Sequence, residues 1–226
     1  ENSQTDLSLT AEIKLYYDLY LPENLLKPAP LLITVHGYGA HKRYMMREAK
    51  HIAPDNFAIV SLQAPNQHFQ PKDNGFRVGF GWLTDYKSEE SVALHHKFVL
   101  DVIENLVNDG LIDENKIYLY GFSQACALNF RFALTHPEIM CGVLGVCGGI
   151  PGDLETSNIY APTNADVFYL YSRSDNFYPL EKFVQYDAKL KDYLPHYESK
   201  SYEAKHEITD EMREDMKNWL IEKEKI

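Results

Sequence analysis

Little in this chain points to a covalent scaffold. Only 3 of its 226 residues are cysteine. Cys126, Cys141 and Cys147 form no CxxC pair, and so few in so long a chain exclude a disulfide framework. All three are read as small buried hydrophobes. No run approaches the roughly 18 consecutive apolar residues of a membrane-crossing helix. The most apolar stretch, residues 141–150, is short and interrupted by glycine. Positive charge is scarce: Lys+Arg 22 against Asp+Glu 33 gives a net charge of −11. That balance argues against nucleic acid and anionic membrane surfaces as partners, because both need clustered cations. There is no HExxH, no CxxC-type ligand set, and no GxGxxG or P-loop pattern after a strand. Neither a metal nor a nucleotide cofactor is therefore expected. Repeats, low-complexity tracts and Gly/Ser/Pro-rich linkers are also missing.

The chain begins with Glu1 rather than Met, which reads as a processed or trimmed form. Residues 1–10 are polar and carry no signal-peptide core. A signal removed earlier is compatible with that start, so the compartment stays open, as does the oligomeric state.

The composition is 45% apolar and 24% charged, the balance of a chain that folds around a core. From about residue 31 onward, apolar strand-like runs alternate with helix-like segments. The runs are residues 31–35, 57–62, 116–120, 141–146 and 167–171. Their near-continuous apolar character suits strands buried on both faces of a parallel sheet. Residues 11–21 alternate more strictly and read as one or two antiparallel edge strands. Helices are expected over 88–108, where Val92, Val99, Ile103 and Leu106 share a face, and over 180–194 and 208–223, the last capped by Thr209. The order implies an α/β fold with a mostly parallel central sheet and helices on both faces. Ligands in such folds bind at the carboxyl ends of the strands. Residues 63–86 show no helical or strand period and read as one long loop. It is rich in aromatics, and Phe76, Phe80 and Trp82 are its candidates for lining a substrate pocket.

The most informative stretch is Gly121-Phe122-Ser123-Gln124-Ala125. A β-rich run ends in Gly-x-Ser-x-Ala and leads into a helix-forming segment. This is a nucleophile elbow whose last glycine is alanine. A serine hydroxyl attacks only when a base removes its proton, and in this architecture the partners follow in the order Ser, acid, His. Asp175 lies in a turn just past the run 167–171, whereas Asp153 sits in an irregular segment and Asp166 precedes the run. His206 stands at the far end of the run 197–204, and His196 at its start. Asp175 and His206 are therefore the candidate acid and base. Donors for the oxyanion should be the backbone N–H groups of Gln124 and of Tyr38, in the loop His36-Gly37-Tyr38-Gly39. His36, His95 and His96 precede the serine and read as structural.

These pieces together resemble the α/β-hydrolase superfamily, and within it the phospholipase/carboxylesterase group that includes acyl-protein thioesterases. The loop 36–39, the elbow 121–127, Gly148-Gly149-Ile150-Pro151, Asp175-Asn176-Phe177-Tyr178-Pro179, His206-Glu207-Ile208 and Gly81-Trp82-Leu83-Thr84-Asp85 are similar to motifs of that group in their order. The resemblance implies a single α/β-hydrolase domain over residues 1–226 and a serine hydrolase of small carboxylic esters or thioesters without a cofactor. It also implies the triad Ser123, Asp175 and His206. Ala125 and Cys126 replace the glycines that end the family's elbow. A peptidase or amidase on the same triad, and a non-catalytic binding module, are the alternatives. Residues 150–166 are too short for a cap domain, so an open site is expected unless the loop 63–86 covers it.

Overall fold

The computed structural model describes residues 3–225. Its central sheet has seven strands in the order β1-β3-β2-β6-β7-β8-β9: β1 (Tyr17–Tyr20), β2 (Ala29–Val35), β3 (Ala58–Leu62), β6 (Ile112–Phe122), β7 (Gly142–Val146), β8 (Asp166–Ser172) and β9 (Tyr197–Tyr202). Only β1 runs antiparallel, against β3; all other neighbours are parallel. Every residue of β2, β3 and β7 is buried, as runs such as Leu31-Leu32-Ile33 require once helices cover both faces.

The helices are α1 (Lys42–Ile52), α2 (Ser88–Asn108), α3 (Gln124–Thr135), α4 (Leu180–Tyr193) and α5 (Asp210–Glu224). The crossover from β2 through α1 to β3 moves toward β1, and those through α3 and α4 move the other way. Right-handed connections then put α1 on the face opposite α3 and α4. α5 lies beside α1, where Arg213 Nε donates to Glu48 Oε2 at 2.7 Å. Thr209 caps α5 by accepting from the Met212 amide at 3.2 Å. Glu224, at the helix's other end, accepts from Tyr118 Oη at 2.6 Å and from Lys116 Nζ at 2.8 Å.

Two expectations are corrected. Of residues 11–21, only Tyr17–Tyr20 pairs as a strand. Residues 63–86 are not a shapeless loop: β4 (Asn66–Lys72) and β5 (Gly75–Gly81) form an antiparallel hairpin, a two-stranded sheet of its own. Its turn is Asp73-Asn74, since Lys72 pairs with Gly75. The segment 147–165 between β7 and β8 contains no helix or strand, so no cap domain is inserted there. Among the described residues, no helix is long and apolar enough to cross a membrane.

Candidate active site

Four loops leaving the carboxyl ends of parallel strands converge. The loop after β2 carries His36-Gly37-Tyr38-Gly39, that after β6 carries Ser123, that after β8 Asp175, and that after β9 His206. Ser123 sits between strand and helix with φ 57° and ψ −119°, a strained backbone for a residue with a side chain. Its amide is held by Val146 O at 2.9 Å. The elbow is crowded: a Cβ at Gly121 would lie 2.7 Å from Asn129 Nδ2 and 3.1 Å from the Ala125 carbonyl carbon. That explains the glycine two residues before the serine.

Ser123, His206 and Asp175, chosen from sequence order, are brought into one hydrogen-bonded chain. His206 Nε2 lies 2.9 Å from Ser123 Oγ, and His206 Nδ1 lies 2.7 Å from Asp175 Oδ2. The Asp175 side chain is fully buried. Its other oxygen accepts from the amides of Phe177 at 2.8 Å and Tyr178 at 3.0 Å, so the turn fixes the carboxylate's direction. The imidazole is packed among Phe122, Phe177 and Tyr178, with centroids 4.8, 4.7 and 6.0 Å away. With Asp175 accepting, Nδ1 carries the proton and Nε2 faces the serine hydroxyl as an acceptor. The other acids lie elsewhere. Asp153 binds Arg131 and Tyr160, and Asp166 binds Lys223. Burial raises the Asp153 carboxyl's pKa, but the hydrogen bonds from Arg131 and Tyr160 outweigh it and hold it below the usual value. His196 lies at the amino end of β9, away from the serine.

His36 is fully buried. Its Nδ1 donates to Gly37 O at 2.8 Å, and its Nε2 accepts from the Ala64 amide at 3.1 Å. Burial, against a partial offset from that Gly37 bond, lowers its pKa to about 4. The neutral ring therefore braces the loop that carries Tyr38. Neither the Tyr38 amide nor the Gln124 amide is engaged in a hydrogen bond among the described residues.

The hairpin packs directly on this loop. Gly39 N–H donates to Phe80 O at 2.7 Å, and the Tyr38 ring stacks on His68 at 4.7 Å and 13°. Below the hairpin, Trp82 Nε1 donates to His36 O at 2.8 Å. Gln124 closes the ring of contacts: its Oε1 accepts from the Trp82 amide, and its Nε2 donates to Leu83 O, both at 3.1 Å.

Above the triad lies a cleft of about 1360 Å³ bordered by Tyr38, Gln70, Arg77, Leu128 and Tyr178 among others. None of Phe76, Phe80 and Trp82 borders it. Trp82 is buried beneath the hairpin with 1% exposure. Phe80 packs edge-on against His41, and Phe76 pairs with Phe69 on the solvent side of the hairpin. The expectation that these three aromatics line the pocket is thus overturned, because strand alternation puts Phe76 on the outer face of the hairpin and the chain buries Trp82 beneath it. The polar residues that do border the cleft from the hairpin, Gln70 and Arg77, were missed. A second cavity of about 840 Å³ adjoins the cleft and shares Ser88, Val92, Arg131 and Gly152 with it.

The three cysteines are free. Burial raises the pKa of Cys126 well above the ordinary thiol value and that of Cys147 to about 11, so neither is a ready thiolate.

Known proteins share this architecture. The solved structure of a Bacillus cereus carboxylesterase superposes with a TM-score of 0.72 at 14% identity, covering 92% of this chain and 94% of the other. Esterase PE8 gives 0.74 at 17% identity, covering 93% and 99%. Zea mays acyl-protein thioesterase 2 gives 0.69 at 15% identity, covering 92% and 98%. At these identities the likeness is one of fold. NocK of Nocardia uniformis subsp. tsuyamanensis, whose name assigns it to the esterases, is 26% identical over 127 residues. The match covers 54% of this chain and 33% of that protein, so it spans about a third of that relative. The phospholipase/carboxylesterase family model matches residues 22–223, nearly the whole sheet and all four site loops, and the chain belongs to that family.

Proposed function

We propose that this protein hydrolyses carboxylic esters through Ser123, His206 and Asp175, with residues 1–226 acting as one catalytic domain. The observation that carries the reading is the pair of short contacts around His206, 2.9 Å to the serine oxygen and 2.7 Å to the aspartate. They lie at the floor of a cleft large enough for a small ester. His206 takes the Ser123 proton as Oγ bonds to the ester carbonyl carbon, and the carbonyl electron pair moves onto oxygen. The unengaged amides of Tyr38 and Gln124 are the donors for that oxyanion. Asp175 holds the imidazole in its reacting tautomer and stabilises its charged form. Collapse of the intermediate breaks the bond to the alcohol oxygen, which leaves with the proton from His206. Water then attacks the acyl-enzyme, giving its proton to His206, and the acid is released as Ser123 is restored. A thioester enters the same steps with sulfur as the leaving atom.

The test is Ser123→Ala assayed on a p-nitrophenyl ester, with circular dichroism as the folding control. Turnover should fall about a millionfold, and a fluorophosphonate probe should label the wild type at Ser123 but not the variant. Turnover like that of the wild type in the folded variant would end the proposal.

A further inference from the structure

On the hairpin wall of the cleft stands an arginine that the mechanism above leaves unused. Arg77 on β5 is paired in register with Gln70 on β4, and both border the cleft. Arg77 Nε donates to Gln70 Oε1 at 3.0 Å. Its terminal amino groups have no partner, and it forms no ion pair, among the described residues. Arg43 and Arg47 also form no ion pair among the described residues, but neither borders the cleft, and Arg131, the other arginine that does, is bound to Asp153.

The anchor for Arg77 is itself built in. The Gln70 carboxamide occupies the space above two glycines. A Cβ at Gly39 would meet its Nε2 at 1.9 Å, and a Cβ at Gly79 would meet its Cδ at 2.6 Å. Gly39 also takes φ +75°, which favours glycine. Its Nε2 lies 3.2 Å from His68 Nε2, and His68 stacks on Tyr38. The guanidinium is thus tied by Nε to a side chain seated on the same loop that carries the Tyr38 amide. Tying Nε leaves free the two amino groups that grip a carboxylate side by side.

We infer that Arg77 is a specificity residue for a carboxylate carried by the substrate, so that the ester taken at this site is a half-ester or another ester with a free acid group. Asp85 and Glu207 border the same cleft. They disfavour an anion elsewhere along it and leave the hairpin wall as its place. The overall charge of −11 repels polyanions at long range but is screened over about 8–10 Å at physiological salt, so a local guanidinium decides the matter at contact.

The inference rests on the ester-hydrolase reading, and the experiment separates the two. Mono-p-nitrophenyl glutarate and p-nitrophenyl pentanoate are compared as the ratio of kcat/KM, acid over neutral. That ratio should fall at least about tenfold in Arg77→Gln, fall also in Gln70→Leu, and be partly kept in Arg77→Lys. In a second arm that needs no turnover, glutarate is titrated into Ser123→Ala and into Ser123→Ala/Arg77→Gln by NMR. Binding should weaken at least about tenfold in the double variant. A ratio and an affinity that stay within twofold would overturn the role of Arg77 while leaving neutral-ester hydrolysis standing. Absence of hydrolysis of either ester would sink the esterase reading, and the glutarate titration would still decide Arg77.

Discussion

At the floor of the cleft, Ser123 and Asp175 leave β6 and β8, whose residues nearest the site are buried and mostly apolar, while His206 leaves the polar edge strand β9. In the hairpin wall, β4 and β5 invert that economy of polarity. His68, Gln70 and Arg77 lie on the side that meets Tyr38, Gly39 and the cleft, while Phe69, Phe76 and Val78 face solvent at 77%, 72% and 48% exposure. The floor is held by the cooperative core of the whole sheet. The wall touches the catalytic loop through a few polar contacts: Gly39 N–H to Phe80 O, Tyr38 on His68, and the Gln124 side chain at its base. On the proposed reading, reactivity and selectivity are anchored to separate structural units.

Four perturbations sharpen or break that division. The largest effect belongs to the floor. Asp175→Asn should lower kcat about 10⁴-fold with little loss of fold, because the amide cannot hold His206 with its acceptor nitrogen toward the serine. Steady-state kinetics checks this, and a loss below tenfold would dissociate Asp175 from the reaction. Gln124→Ala probes the seam between floor and wall. Its two side-chain bonds to Trp82 and Leu83 go, at a cost of about 1–3 kcal/mol in urea unfolding. The Gln124 and Tyr38 amides shift as well, so kcat should drop about 10- to 100-fold with a smaller change in KM. Unchanged kcat with reduced stability would confine Gln124 to scaffolding.

The third perturbation is pH. Burial lowers the pKa of His36 to about 4, of His95 to about 3 and of His96 to about 4. In the unfolded chain these groups titrate near 6.5. Between about pH 6.5 and 4 the unfolded state therefore binds more protons, and stability falls as pH falls through that window. Each histidine adds up to about 1.4 kcal/mol per pH unit. Denaturant midpoints at pH 7 and pH 5 measure it, and a flat profile would contradict the burial of three neutral rings. The smallest effect belongs to the outer face of the wall. Phe76→Ala should move stability by less than about 0.5 kcal/mol and leave the chain-length preference of a series of p-nitrophenyl esters unaltered. A shifted preference would place Phe76 in the substrate's path after all.

The floor was legible in the sequence because buried parallel strands spell themselves as continuous apolar runs, and because the elbow needs small residues at fixed spacing. Residues 31–35, 167–171 and the turn at Asp175 could be located from those constraints alone. The hairpin was not legible for the opposite reason. Asn66-Gln67-His68-Phe69-Gln70-Pro71-Lys72 contains a proline, and Gly75-Phe76-Arg77-Val78-Gly79-Phe80-Gly81 contains three glycines. Such strands score poorly, and their alternation has the polar set directed to the site rather than to water. The first strand shortened to Tyr17–Tyr20 because only Tyr17–Tyr20 pairs with β3. Beyond it one backbone bond, Gln63 N–H to Tyr16 O at 2.9 Å, continues the pairing, and residues 11–15 have no ladder partner among the described residues.

The hairpin forms a sheet separate from the central one, and the one backbone bond described between it and the loop after β2 runs from Gly39 N–H to Phe80 O. A lineage carrying this fold can therefore lengthen, shorten or recolour residues 66–81 as a cassette, exploring new substrates by exchanging a doorframe while the lock behind it stays the same.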